Sequence, residues 1–261
     1  MAKNDNLTDF LADVANAIRE KKGTTDLINP QDFSAEIASI ETGGGDTPTP
    51  DMPVIGDGKT YLYIKIAGNG RMVVSLYFSQ SVANGVTIDW GDGSATQTLS
   101  GTGYKNVTHT YAEIGEYTIS LNPSSGCILD FGSGSSAYCV MGDTGNNGRV
   151  YCNMLQAVEI GKNVTSIGDN AFRYCSSLAS VVIPDSVTSI GNNAFYCCYG
   201  MAYYDFRASK SVPTLSNKTA FNSISSDCEI VVPDSLYDTW KAATNWSSYA
   251  SKIVKASEFN G

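Results

Sequence analysis

The chain has 261 residues, 26 acidic against 17 basic side chains and a single histidine, for a formal charge of −9. Without clustered Lys and Arg there is little to release counterions from a phosphate backbone, so nucleic acid is excluded as a default partner. With His109 as the lone imidazole, a His-based zinc site or a Ser-His or Cys-His relay has almost nothing to be built from, so a conventional enzyme is not expected and no cofactor is implied.

Only 16% of residues are charged, 42% are hydrophobic and 25 are glycine, a balance that suits turn-rich β structure. The length suits roughly two domains of about 100–150 residues. No stretch approaches the roughly 20 apolar residues of a membrane span. Asp5, Asp9 and Asp13 interrupt any apolar signal region at the N-terminus, so export by that route is not expected. The seven cysteines (Cys127, Cys139, Cys152, Cys175, Cys197, Cys198 and Cys228) are odd in number, in a chain large enough to fold without staples. They are expected to be buried, reduced thiols.

Residues 1–41 read as two short helices. Leu7, Phe10, Leu11, Val14 and Ile18 form one apolar stripe, and Phe33, Ile37 and Ile40 share a face behind an Asn29-Pro30 start signal. Helices this small cannot bury a self-sufficient core. Either they pack on the following domain, or they are an anchor that docks on another protein or on copies of itself, making the chain a homo-oligomer. The Gly- and Pro-rich stretch at 42–58 reads as a linker and favours the anchor.

From Tyr61 the period becomes two, with Leu62, Ile64 and Ile66 alternating against Tyr61, Tyr63 and Lys65. Val86 to Ser94 (VTIDWGDGS) is followed by His109-Thr110-Tyr111 and then by Gly115 to Ile119 (GEYTI). These three elements, in this order, resemble the PKD family, which implies an immunoglobulin-like β-sandwich over residues 59–124. Trp90 and Ile88 would fill its core. Asp89 and Asp92 have two readings, carboxylates that hold a turn, which is favoured, or calcium ligands. His109 is assigned no chemistry.

The remainder, 125–261, repeats every 23 residues. Val158 to Phe172 recurs as Val181 to Phe195, and Cys152, Cys175 and Cys198 are in register, as are Leu155, Leu178 and Met201. Such a period means a solenoid in which each turn buries its apolar face on the next. The in-register cysteines read as a packed ladder. Ile183-Pro184, Ser186 to Gly191, Ala194-Phe195, Cys198 and Met201 resemble the BspA-like leucine-rich repeats, although the first unit carries Gly161 where the second has Pro184. Residues 125–157 read as a divergent junction. The register breaks after Phe206, with pieces restored at 212–215, Ala220-Phe221 and 228–233. Residues 234–246 read as a closing helix, and Trp240, Trp246 and Tyr249 as the core of a C-terminal cap. The expected fold is therefore mainly β: a small N-terminal helical anchor, an immunoglobulin-like sandwich, and a short leucine-rich-repeat solenoid with a helical cap.

The segment from Leu11 to Ile40 resembles a short helical module that opens structural proteins of phages and prophages. That resemblance implies a virion-attached display or fibre-like protein. Residues 1–41 would then bind virion proteins, and the C-terminal domains would face a bacterial host or mucosal protein or glycan. A bacterial cell-surface adhesin is the alternative. A glycosidase is disfavoured because acids such as Asp169 and Asp185 are scattered over turns with no recognisable pair. Tyr196, Tyr199, Tyr203 and Tyr204 cluster late in the array and form the candidate binding patch, with Tyr203 and Tyr204 expected to face opposite ways.

Overall fold

The computed structural model describes residues 57–67, 72–132, 139–141 and 152–259. The helical anchor expected over 1–41, with its stripe from Leu7 to Ile40, and all of the 42–58 linker except Asp57 and Gly58 lie outside the described residues.

The fold is mainly β. Seven strands come first: β1 (Thr60–Ile66), β2 (Val73–Gln80), β3 (Val86–Asp89), β4 (Gln97–Thr98), β5 (Gly103–Thr110), β6 (Gly115–Pro123) and β7 (Leu129–Phe131). Eight more follow: β8 (Leu155–Glu159), β9 (Val164–Ile167), β10 (Ser180–Val182), β11 (Ser189–Ile190), β12 (Tyr203–Asp205), β13 (Thr214–Leu215), β14 (Glu229–Val232) and β15 (Ile253–Lys255). They make two sheets, ordered β15-β14-β12-β10-β8-β1-β6-β3-β4 and β13-β11-β9-β7-β2-β5.

Alternation decides which side chains face the gap between the sheets. Leu62, Ile64 and Ile66 of β1 are buried while Lys65 is exposed, and Ile88 and Trp90 are buried while Asp89 is exposed. In the first half the pairing is antiparallel, β1 with β6, β2 with β5 and β3 with β6. In the second half the chain alternates between the two sheets from β8 to β14, β15 then joins β14 in the first sheet, and the pairing among these strands is parallel. Val158, Val181, Tyr204, Ile230 and Ile253 stand side by side across five strands. The first two steps are the 23-residue period. The step from Tyr204 to Ile230 spans 26 residues, and this longer turn is the register break after Phe206.

Inside the turns Phe172, Phe195 and Phe221 stack nearly face to face, with ring centroids 5.2 and 5.3 Å apart. Phe131 meets one end of this stack edge-on at 6.1 Å, and Trp246 covers the other at 5.4 Å. Trp240, Trp246 and Tyr249 are all buried beneath the C-terminal end. The closing helix is shorter than expected: α1 covers Tyr237–Ala242, flanked by 3-10 turns at Asp234–Leu236 and Trp246–Tyr249. Ala243 turns extended and Asn245 adopts φ +66°, which ends the helix.

Both sheets cross the expected boundary at 124/125 without a break. β1 lies between β6 and β8, and β7 lies between β2 and β9. The glycine that replaces the repeat's proline belongs to this seam. Gly161 N–H donates to Thr60 Oγ1 at 2.9 Å, and a Cβ at 161 would stand 2.5 Å from the Gly58 carbonyl oxygen. Proline would lose the donor and collide.

Candidate functional site

The repeat turns fix where surface side chains emerge. Asn170 and Asn193, and likewise Tyr174 and Cys197, stand one period apart and all adopt positive φ, so successive turns reverse with the same geometry. Left-handed backbone is ordinary for asparagine but costs roughly 1–2 kcal/mol for a residue such as tyrosine. The Tyr174 ring projects beside its neighbours at that expense.

The period also puts Arg173 next to Tyr196. The Arg173 guanidinium lies 4.7 Å from the Tyr174 ring centroid and 5.2 Å from that of Tyr196, and donates to Tyr174 Oη at 3.0 Å. The two rings meet edge-on at 5.8 Å. Tyr199 is 62% exposed, and its hydroxyl donates to Cys197 Sγ at 3.0 Å. Hydrogen bonding to the Cys197 thiol holds the Tyr196 and Tyr199 phenols above their usual pKa, so both remain neutral donors at physiological pH. Beside them Asn153, Tyr174, Ser176, Cys197 and Tyr199 line an open cleft of about 330 Å³, in which Ser176 donates to Asn153 Oδ1 at 2.8 Å. None of these lining residues is a carboxylate. The arrangement offers aromatic faces, a fixed cation and neutral hydrogen-bonding groups, which suit a polar uncharged ligand or a protein surface.

The four sequence-selected tyrosines separate in the structure. Tyr196 and Tyr199 lie at this surface, and Tyr203 and Tyr204 face opposite ways as expected. Tyr203 is half-buried against Phe259, 4.9 Å between centroids. Tyr204 is corrected out of the surface patch: it is fully buried, edge-on to Phe195 and Phe221 at 4.9 and 4.7 Å, because its strand position faces the solenoid core. Arg173, Tyr174, Asn153 and Ser176 are the residues that sequence reasoning missed. The 23-residue step from Arg173 to Tyr196 was the signal that could have found them.

Asp89 and Asp92 are engaged in the turn itself. Asp89 Oδ1 accepts from Gly91 N–H and Asp92 Oδ1 from Ser94 N–H, both at 3.0 Å, while Asp92 Oδ2 meets His109 Nε2 at 2.7 Å. The His109 ring stacks on Trp90 at 4.7 Å, and Tyr111 Oη donates to the Trp90 carbonyl at 2.8 Å. Gly91 is required here, since at φ +77° its Cβ would fall 2.3 Å from Thr118 O. Hydrogen bonding from Ser94, then from His109, holds the Asp92 carboxyl down at about 2.

An acid group depressed in the folded state contributes stability that is present above its unfolded pKa, about 3.9, and lost as pH falls through the folded value. The stability difference between the native protein and Asp92→Asn should therefore be constant above about pH 5 and shrink between about pH 4 and 2. Urea midpoints across that range would check this; a difference that does not change with pH would contradict it.

The cysteine ladder is buried as expected, but the expectation that every thiol is reduced is corrected. Cys139 and Cys152 form a disulfide, because Cys139 arrives from the junction, outside the 23-residue register, to lie against the first rung. Cys127, Cys175, Cys197, Cys198 and Cys228 are free and buried. Burial pushes the Cys175 thiol well above its usual pKa and Cys198 up to about 12, so neither is a nucleophile at neutral pH.

Residues 145–253 match the BspA type leucine rich repeat region, in six copies. No curated protein and no solved structure matches the chain. Among the described residues no helix is long and apolar enough to cross a membrane.

Proposed function

We propose that the chain is a non-enzymatic adhesion protein that presents the tyrosine-lined side of its repeats to glycans or proteins of a bacterial host or mucosal surface. The observation that carries this reading is the cluster of Tyr174, Arg173, Tyr196 and Tyr199 beside a cleft with no carboxylate among its described lining residues. The BspA-type repeat region supports an adhesin-type role at a surface. Neutral phenols can stack on a sugar or pack against a receptor without long-range charge attraction, which fits a chain of net charge −9. The antiparallel pairings of residues 60–123 in two sheets support an immunoglobulin-like, PKD-type reading of that part.

The carrier we propose is a phage particle, with residues 1–41 as the anchor to virion proteins and to copies of the chain; this rests on the sequence resemblance of that segment. A bacterial cell surface is the alternative carrier, and the repeat region is compatible with it.

The test is binding of the full chain to host cells and to mucin, compared with a Tyr196→Ala, Tyr199→Ala double variant whose circular dichroism is unchanged. We expect at least about a tenfold loss of affinity, corresponding to about 1.4 kcal/mol for the two rings together. Native binding by the folded variant would remove this surface from the function.

A further inference from the structure

We propose that, once the Cys139–Cys152 disulfide is reduced, Cys139, Cys152 and Cys175 form a buried three-thiolate site for a single thiophilic d10 cation of the copper(I), zinc or cadmium kind. The three sulfurs all lie within 4.8 Å of one another, and Cys139 and Cys175 are 3.6 Å apart. Each residue is at most 1% exposed. Among the described residues this is the one group of three or more potential ligand side chains close enough to share an ion. Thiolates around one cation at about 2.3 Å stand roughly 3.8–4.0 Å from each other, so the Cys139–Cys175 spacing needs little adjustment, and reduction of the disulfide frees the Cys139 and Cys152 sulfurs to part to the same separation. Soft sulfur ligands select cations of this class.

Backbone bonds, rather than the thiols themselves, hold the positions. Val140 N–H donates to Ala171 O at 2.6 Å and Tyr77 N–H to Val140 O at 2.9 Å, which pins the Cys139 segment between the first repeat turn and β2. Cys175 sits in the tight turn closed by its own N–H on Phe172 O at 3.3 Å. The next rung is turned elsewhere, since Cys198 Sγ donates to Phe172 O at 3.1 Å. The ladder therefore supplies one triad and no continuation of it.

Two states of the triad exclude each other. In the oxidised state the Cys139–Cys152 bond occupies two of the three ligands. A dithiol reductant supplies two electrons and two protons, is itself oxidised to a disulfide, and leaves three thiols. Forming three metal–sulfur bonds then releases three protons to solvent.

The full chain, reduced with a dithiol that is then removed anaerobically, would be titrated with cadmium(II) and followed by sulfur-to-cadmium charge-transfer absorption. The expected result is saturation at one cadmium per chain and a rise in melting temperature. Affinity should fall at least tenfold in Cys139→Ala and in Cys175→Ala, and be retained in Cys127→Ala and Cys228→Ala. The air-oxidised native protein, which needs no substitution, should give no band. An equal signal from the oxidised protein, native affinity in a folded Cys175→Ala or Cys175→Ser variant, or no band in the reduced native chain would each overturn the proposal.

Discussion

Replacing Phe195 with alanine is expected to cost about 4–5 kcal/mol, the upper end of what a buried aromatic truncation removes. The ring is fully buried between Phe172 and Phe221, with Tyr204 edge-on to it. A cavity collapses only when its walls can move, and here they are held by backbone. Phe172 N–H donates to Ala194 O at 2.7 Å and Phe195 N–H to Ala220 O at 2.8 Å, tying each aromatic position to the next turn. The two outer rings therefore cannot slide together to fill the gap. Urea unfolding of the variant measures the cost directly. A value under about 1.5 kcal/mol would mean that the turns repack and that the aromatic column is not the solenoid's main support.

Two rings of that column were legible as a repeat, because parallel strands one turn apart force equal chain lengths between equivalent residues. The third, Phe221, was legible only as a fragment, since three additional residues between Tyr204 and Ile230 shift its phase while leaving its place in the stack intact. Trp90, Ile88 and the β1 alternation were readable for the same local reason: a strand with one wet face writes its burial into every second residue.

The candidate site was half legible. That Tyr203 and Tyr204 face opposite ways follows from the pleat, but which of them faces inward is set by the sheet beneath. Arg173 acquires meaning only when folding brings Tyr196 alongside. Cys139 lies outside the period, so nothing in its neighbourhood announces that it meets Cys152 and Cys175. The sequence predicts a longer closing helix than α1 because no residue before Asn245 signals a stop. Least legible was the pairing of β1 with β8, since strands almost a hundred residues apart leave no local trace of their register.

That pairing yields the second large expected effect. A fragment of residues 125–261, cut where the sequence places a domain boundary, should fail to fold. Removing β1 takes from β8 the partners of Glu159, Val158, Ala157 and Leu155. Removing β2 takes from β7 the partners of Phe131, Asp130 and Leu129. Both sheets then end in raw edges at the same face of the solenoid, and Leu129, Phe131, Leu155 and Val158, each fully buried in the intact protein, meet water. A repeat array needs its terminal apolar face covered, and an exposed hydrophobic edge invites pairing with another chain. The first half of the molecule is thus the N-terminal cap of the second, as Trp240 and Trp246 are its C-terminal cap. On this argument residues 57–261 should unfold in one transition seen alike by far-ultraviolet circular dichroism and by tryptophan fluorescence, while 125–261 should aggregate or give the collapsed amide shifts of an unfolded chain. A dispersed spectrum from 125–261 would show instead that the repeats carry enough internal stacking to stand without β1 and β2, and that the seam at Gly161 joins two independent domains.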